Sequence, residues 1–81
     1  MDLKHNLVAY PSKDLKGITI SNIFDSSKNI EIIRNFSPSA TVWQVASGEF
    51  TDQGFTLNYF DGPNQIEKRE IIPLDYSKFN N

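Results

Sequence analysis

The side chains that could do acid–base or metal chemistry are few and widely separated along the 81 residues. His5 is the one histidine and stands near the N-terminus, which excludes a multi-histidine metal site and argues against a Ser-His-Asp triad. Carboxylate pairs could still supply a general acid and base. Glu49 and Asp52 flank a turn, and Glu67 and Glu70 lie along a strand whose alternation puts them on opposite faces. Both pairs are typical of solvated charge, so we expect no catalytic residue, no metal, no cofactor and no enzymatic activity.

The overall composition argues against further classes of function. The four glycines are dispersed, so no phosphate-binding loop is expected, and the absence of cysteine excludes disulfides and thiolate metal sites. The net charge is −2 and no run of Lys or Arg occurs, so a nucleic-acid partner is not expected. No apolar run approaches the length of a membrane span. The sequence therefore predicts a cytoplasmic protein with no membrane partner.

A short motif occurs twice in the chain. Residues 17–31 read GITISNIFDSSKNIE and residues 54–67 read GFTLNYFDGPNQIE. Both contain Gly-x-Thr-x, then Asn-x-Phe-Asp, four further residues and Ile-Glu. The match requires Ser21 as one inserted residue, which predicts a β-bulge that keeps Ile18, Ile20 and Ile23 on one face. This internal repeat predicts two similar structural units.

The second copy of the motif has the clearer hairpin signal. Residues 55–59 alternate apolar and polar side chains, Asp-Gly-Pro-Asn at 61–64 is turn chemistry, and residues 65–72 supply the return strand. The repeat extends this hairpin prediction to residues 17–36. There, Ser26 and Ser27 could instead cap a short helix near 27–36, although three isoleucines in four residues favour a strand.

A further strand precedes each hairpin, at 3–10 and at 41–50. The predicted architecture is all-β: two similar three-stranded meanders, about 3–36 and 41–74, packed as a small six-stranded antiparallel barrel or sandwich. An α+β fold with the short helix near 27–36 is the alternative. Residues 1–75 are predicted to form a single β domain and 76–81 a C-terminal tail. Tyr76 and Phe79 in that tail either fold back over the domain or project towards a partner.

The turn at 51–54 sets the predicted register of the second meander by pairing Phe50 with Phe55. One face then carries Val42, Ala46, Phe50, Phe55, Leu57, Tyr59 and Ile66. The other face carries an aromatic cluster, defined as Trp43, Val45 and Phe60, with Thr56 and Asn58 beside it. The first meander could cover this cluster with Phe24 and Ile33, or the cluster could stay exposed as a contact surface.

These observations predict a small non-enzymatic protein-binding module, such as an adaptor, an accessory subunit or a phage- or plasmid-type inhibitor. It would dock on another protein through the aromatic-bearing sheet face. The predicted partner-binding residues are Trp43, Val45, Phe60, Asn58 and Thr56. One alternative is a small-barrel binder of a small ligand or of single-stranded nucleic acid, with a basic strip from Lys16, Lys68 and Arg69. Another is a structural homodimer that buries the aromatic face.

Overall fold

The computed structural model describes residues 1–12 and 17–79, and these residues form an all-β domain. The six strands are β1 (Leu7–Pro11), β2 (Gly17–Asn22), β3 (Asn29–Ile33), β4 (Ala46–Thr51), β5 (Gly54–Asp61) and β6 (Ile66–Ile72). Two single-turn 3₁₀ helices span Val42–Gln44 and Tyr76–Lys78. The all-β prediction is confirmed, and the alternative helix near 27–36 is wrong because the isoleucine-rich segment forms β3. Within the described ranges, no helix is long and apolar enough to cross a membrane.

The strands form two antiparallel sheets in meander order, β1-β2-β3 and β4-β5-β6, as the repeat predicts. Both sheets contribute to one core of buried apolar side chains: Leu7, Ile18, Ile20, Ile32, Val42, Phe55, Leu57, Tyr59 and Phe79. Two separate ladders that share one core correspond to a small sandwich. The described strands do not close into a barrel.

The first strand of each meander begins later than its apolar pattern predicts. Asn6 has a positive φ of 58°, so the chain turns immediately before β1. In the second meander, residues 42–44 form a 3₁₀ helix, and Val45 (φ −124°, ψ 3°) is not yet extended. Strand β4 therefore starts at Ala46, and Trp43 belongs to the turn that leads into it.

Only the first half of the repeated motif occupies equivalent positions in the two meanders. Gly17 and Gly54 each open a central strand. The pairing of β2 with both neighbours runs through Ser21 without interruption, so the predicted bulge is wrong. Ile23 consequently lies beyond the end of β2 and is exposed. As a result, Asn-x-Phe-Asp leads from β2 into a turn in the first meander but continues β5 in the second.

The C-terminal segment folds back over the domain and does not project from it. Phe79 is 1% exposed, and its carbonyl oxygen accepts a hydrogen bond from Nδ2 of Asn22 at 2.6 Å. Three residues earlier, the ring of Tyr76 stacks on His5 with the ring centroids 3.7 Å apart. The N-terminal segment is thereby held against the C-terminal one. Residues 80–81 of the predicted tail lie outside the described residues.

The segment after β3, which connects the two sheets, is hydrogen-bonded to the second sheet. Arg34, directly after β3, donates a hydrogen bond from Nε to Glu70 of β6 at 2.5 Å. This bond raises the pKa of Arg34, against the opposing effect of its partial burial. Further along, Ser37 N–H donates to Phe60 O and Gly62 N–H donates to Asn35 O, at 2.9 and 2.7 Å. The end of β5 is therefore fixed in place close to the aromatic cluster.

Candidate interaction face

The register between β4 and β5 decides which side chains leave the core. Phe50 pairs with Phe55, and the small residues Gly48 and Ala46 lie opposite large ones, so the predicted register is confirmed. A two-residue turn joins the strands, and Gly54 after it has a φ of +127°, which favours glycine. All the predicted inner-face residues are buried or half-buried except Ile66. Ile66 opens β6 beyond the edge of the core and is 55% exposed.

The outer face is defined here as the side chains of the second sheet that point away from the core. Because Phe55, Leu57 and Tyr59 are buried in the core, the residues between them point outwards. The cross-strand rows of the outer face are Val45-Phe60-Glu67, Ser47-Asn58-Arg69 and Glu49-Thr56-Ile71. Four of the five predicted partner-binding residues lie in these rows, and the fifth, Trp43, precedes β4.

The aromatic cluster is exposed and does not form a second layer of core. Trp43 is 39% exposed and Phe60 is 40% exposed. The proposed cover from the first meander is not formed, since Phe24 and Ile33 are themselves 81% and 62% exposed. Thr56, in contrast, is 7% exposed because it lies in the central strand of the sheet. The aromatic side chains are therefore accessible to solvent, whereas Thr56 is largely covered by its neighbours.

An open cavity of about 270 Å³ lies on the outer face beside Phe60, with Val45 and Asn58 in its lining. The N–H of Phe60 donates to the carbonyl oxygen of Val45 at 2.9 Å, which holds these two residues side by side. Trp43 lines a different cavity, which opens beside β4. The structure thus brings together Val45, Asn58 and Phe60, and it places Trp43 and Thr56 outside this group.

Three polar residues of the cavity lining, Gln44, Ser47 and Glu67, were missed by the sequence reasoning. Glu67 pairs with Phe60 across the β5–β6 hairpin. The turn at 62–65 has four residues, so Asp61 pairs with Ile66 and Phe60 with Glu67. The length of the turn would therefore have predicted the position of Glu67. The outer face therefore carries an acidic and a basic side chain, Glu67 and Arg69, in neighbouring rows.

The basic strip suggested for nucleic-acid binding is not formed by its described members. Lys68 and Arg69 are consecutive in β6 and point to opposite faces of the sheet. Lys68 lies opposite Tyr59 of the inner face, with its Nζ 3.7 Å from Oδ2 of Asp61. Arg69 lies opposite Asn58 of the outer face. Lys16, the third member, lies outside the described residues.

A second, larger cavity, named here the edge cleft, opens beside strand β4 and measures about 630 Å³. Met1 and Ala9 line it from the first meander, and Trp43 and Phe55 line it from the second. The rest of its lining is five consecutive residues of β4, 46–50. The sequence does not indicate this site, because the site depends on how the two sheets lie against each other.

Three aspartates have lowered pKa values and serve turns. Asp25 and Asp75 each accept two hydrogen bonds from the serine two residues later, with the hydroxyl contact at 2.6 Å in both, and these bonds lower their pKa values. At Asp2, partial burial would raise the pKa, but hydrogen bonds and charge from His5 outweigh it and lower the pKa. Within residues 1–12 and 17–79, no group of three or more potential metal ligands comes together.

Comparison of the chain with protein-family models, with curated proteins and with solved structures finds no match.

Proposed function

We propose that this domain is a small protein-binding module that docks on another protein through the outer face of its second sheet. The observation that carries the proposal is Phe60, a large aromatic on the central strand of a sheet that is nonetheless 40% exposed. Aromatic residues are enriched at protein interfaces because they supply large, rigid contact area. Phe60 and Val45 are the apolar anchors in this proposal, and Asn58 is their polar companion. The module has no catalytic role.

The size and charge of the outer face support a protein partner over other ligands. The open cavity of about 270 Å³ beside Phe60 is suited to a side chain of a partner. Glu67 and Arg69 provide both signs of charge around the apolar centre, which suits complementary charges on a protein surface. Nucleic acid would favour a uniformly basic surface instead.

The test is capture of a partner by immobilised protein, comparing the wild type with Phe60→Ser and Trp43→Ala. Phe24→Ser is the matched control, because Phe24 is a more exposed phenylalanine in the loop after β2, away from the outer face. We expect the wild type and Phe24→Ser to capture the same partner and Phe60→Ser to lose it. Trp43→Ala is expected to keep capture, because Trp43 lines the edge cleft and lies outside the outer face. Circular dichroism should show that each variant keeps the fold.

Two results would contradict the proposal. Retention of the partner by Phe60→Ser together with its loss by Phe24→Ser would move the site to the β2–β3 loop. Binding of a single-stranded oligonucleotide that falls steeply with salt would favour the nucleic-acid alternative, whereas binding that is insensitive to salt is expected for an apolar protein interface.

A further inference from the structure

Strand β4 lies at one edge of the second sheet, so one side of its backbone has no neighbouring strand in that sheet. It pairs with β5, and within residues 1–12 and 17–79 no other segment makes a backbone hydrogen bond to it. Edge strands are normally protected from pairing by charge, proline or a bulge. The opposite edge, β6, follows this rule with Glu-Lys-Arg-Glu at 67–70, whereas β4 reads Ala-Ser-Gly-Glu-Phe-Thr with one charge and no proline. Strand β4 is therefore open to pairing.

The hairpin geometry identifies which backbone groups of β4 are free. In an antiparallel ladder, residues alternate between facing the partner strand and facing away from it. Thr51 flanks the two-residue turn and Val45 accepts from Phe60, so the odd-numbered residues bond to β5. The N–H and C=O groups of Ala46, Gly48 and Phe50 consequently point to the free side. These residues also line the edge cleft.

We infer that β4 pairs with β4 of a second copy of this chain, in antiparallel orientation around a two-fold axis at Gly48. Gly48 then faces Gly48 of the second copy, and Ala46 faces Phe50 of the second copy in both directions. All the free groups of Ala46, Gly48 and Phe50 obtain partners, which gives six backbone hydrogen bonds. The two second sheets join into one continuous six-stranded sheet.

Side-chain size supports this register. Small residues lie opposite large ones across β4 and β5 within the chain, with Ala46 opposite Tyr59 and Gly48 opposite Leu57. The dimer repeats the pattern, because Phe50 of each copy lies beside Ala46 of the other. Its ring enters the edge cleft, whose volume of about 630 Å³ leaves room for it.

Charge disfavours the register centred one residue later. Glu49 is the one ionisable residue of β4. An axis at Glu49 would place two carboxylates directly opposite each other, which is destabilising. With the axis at Gly48, Glu49 faces Ser47 of the second copy instead.

This dimer goes beyond the proposed docking function because it uses the edge of β4 and not the outer face. A two-fold axis perpendicular to the sheet keeps both outer faces on the same side of the molecule. A dimer would therefore present two docking faces side by side, which increases avidity for a partner with repeated sites.

The test is sedimentation equilibrium of the full chain over a range of concentrations, with charge substitutions at Ser47. Ser47→Glu places two like-charged pairs across the interface, and we expect it to raise the dimer Kd by about 2- to 30-fold. Ser47→Lys creates two opposite-charged pairs and should lower the Kd by a similar factor. The double variant Ser47→Glu/Glu49→Lys should recover the affinity. Circular dichroism and urea midpoints at low concentration check that the exposed substitutions leave the fold intact.

Amide hydrogen exchange supplies a readout that does not depend on the variants. At high concentration the amides of Gly48 and Phe50 should exchange more slowly, while those of Ser47 and Glu49 are already bonded to β5 and should not change. A wild type that stays monomeric up to about millimolar concentration would overturn the inference. Equal weakening of the dimer by Ser47→Glu and Ser47→Lys would also overturn the inference, because it indicates a two-fold axis at Ser47. A dimer Kd that responds to neither substitution would overturn it as well. Protection of these amides by a different protein, in a chain that does not self-associate, would assign the edge to that protein and overturn self-pairing.

Discussion

The contact between Gly48 and the ring of Phe55 allows a sharp test of the packing of the second sheet. A Cβ added at Gly48 would lie 2.1 Å from Cζ of Phe55, and 2.7 and 2.9 Å from its Cε atoms. Carbon atoms pack at about 3.5–4.0 Å, so the ring would have to move by well over 1 Å. Phe55 is 1% exposed and meets Phe50 edge-to-face with centroids 5.1 Å apart, so a movement of its ring would disturb the packing of the core.

The expected cost of Gly48→Ala follows from two opposing effects. Overpacking a core typically costs about 1–3 kcal/mol. Replacing glycine by alanine restricts the unfolded chain, which returns about 0.4–1 kcal/mol. We therefore expect Gly48→Ala to lower the free energy of unfolding by about 1–2 kcal/mol. In a domain of this size, each kcal/mol corresponds to a decrease in Tm of about 4–8 °C.

The assay is a double-mutant cycle followed by urea unfolding at one low protein concentration. Phe55→Leu removes the ring that the new methyl group meets, so Gly48→Ala in that background should be neutral or stabilising. The coupling free energy between the two sites should then be about 1–3 kcal/mol. Ser47→Ala is the control, because Ser47 is an exposed neighbour in the same strand and should change stability by less than about 0.5 kcal/mol. The same loss of stability in both backgrounds would refute the reasoning.

Three further predictions concern the ends of the chain and the tryptophan. Phe79→Ala should lower the free energy of unfolding by about 3–5 kcal/mol, because the side chain is 1% exposed. This is a large share of the roughly 4–12 kcal/mol that is typical for 81 residues. Lys78→Ala is the control and should cost little, so equal urea midpoints for the two variants would contradict the burial of Phe79. Asp2 has a folded pKa below its ordinary value of 3.8, so its stabilising effect is complete above that value and is lost as the pH falls through the folded pKa. Asp2→Asn should therefore lower stability at pH 6 by no more than about 1 kcal/mol, and the difference should shrink as the pH falls below 3.8. A deficit that does not shrink on acidification would disprove this origin. At low protein concentration, the fluorescence of Trp43 should have a red-shifted maximum and be readily quenched by acrylamide, because the side chain is 39% exposed. The maximum should shift to the blue at high protein concentration if association covers the edge cleft. A blue-shifted, protected emission at every protein concentration would contradict the exposure of Trp43.

The register of the second meander could be predicted because local chemistry determines it. A two-residue turn followed by Gly54 leaves few ways to pair the flanking strands, and the alternation of small and large residues agrees with one of them. That register then assigned Val45, Asn58 and Phe60 to one face. Trp43 was predicted for the same face because the strand was taken to start too early.

The prediction of a β-bulge at Ser21 was wrong for a different reason. In the first meander, Oδ1 of Asn22 accepts hydrogen bonds from the N–H groups of Phe24 and Asp25, which closes the turn there. In the second, Gly62 with a φ of 69° allows the turn to form later, so β5 continues through the same sequence motif. Identical residues thus lie in a turn or a strand according to which neighbour closes the loop, and a sequence alignment of the copies does not contain that information. The burial of Phe79 was equally hidden, because the polar tail has no periodic pattern to indicate it.

The hydrogen bond between Asn22 and Phe79 has a consequence for the order in which the chain folds. Each hairpin joins strands that are close in sequence, but this bond spans 57 residues, and Phe79 completes a core to which both sheets contribute. Long-range contacts of this kind form slowly because a large loop must close first. During synthesis the two hairpins can form as they leave the ribosome, while the core stays incomplete until residue 79 has emerged. The apolar inner faces remain accessible throughout that interval, so the rate of docking of Phe79 sets how long they are exposed to aggregation.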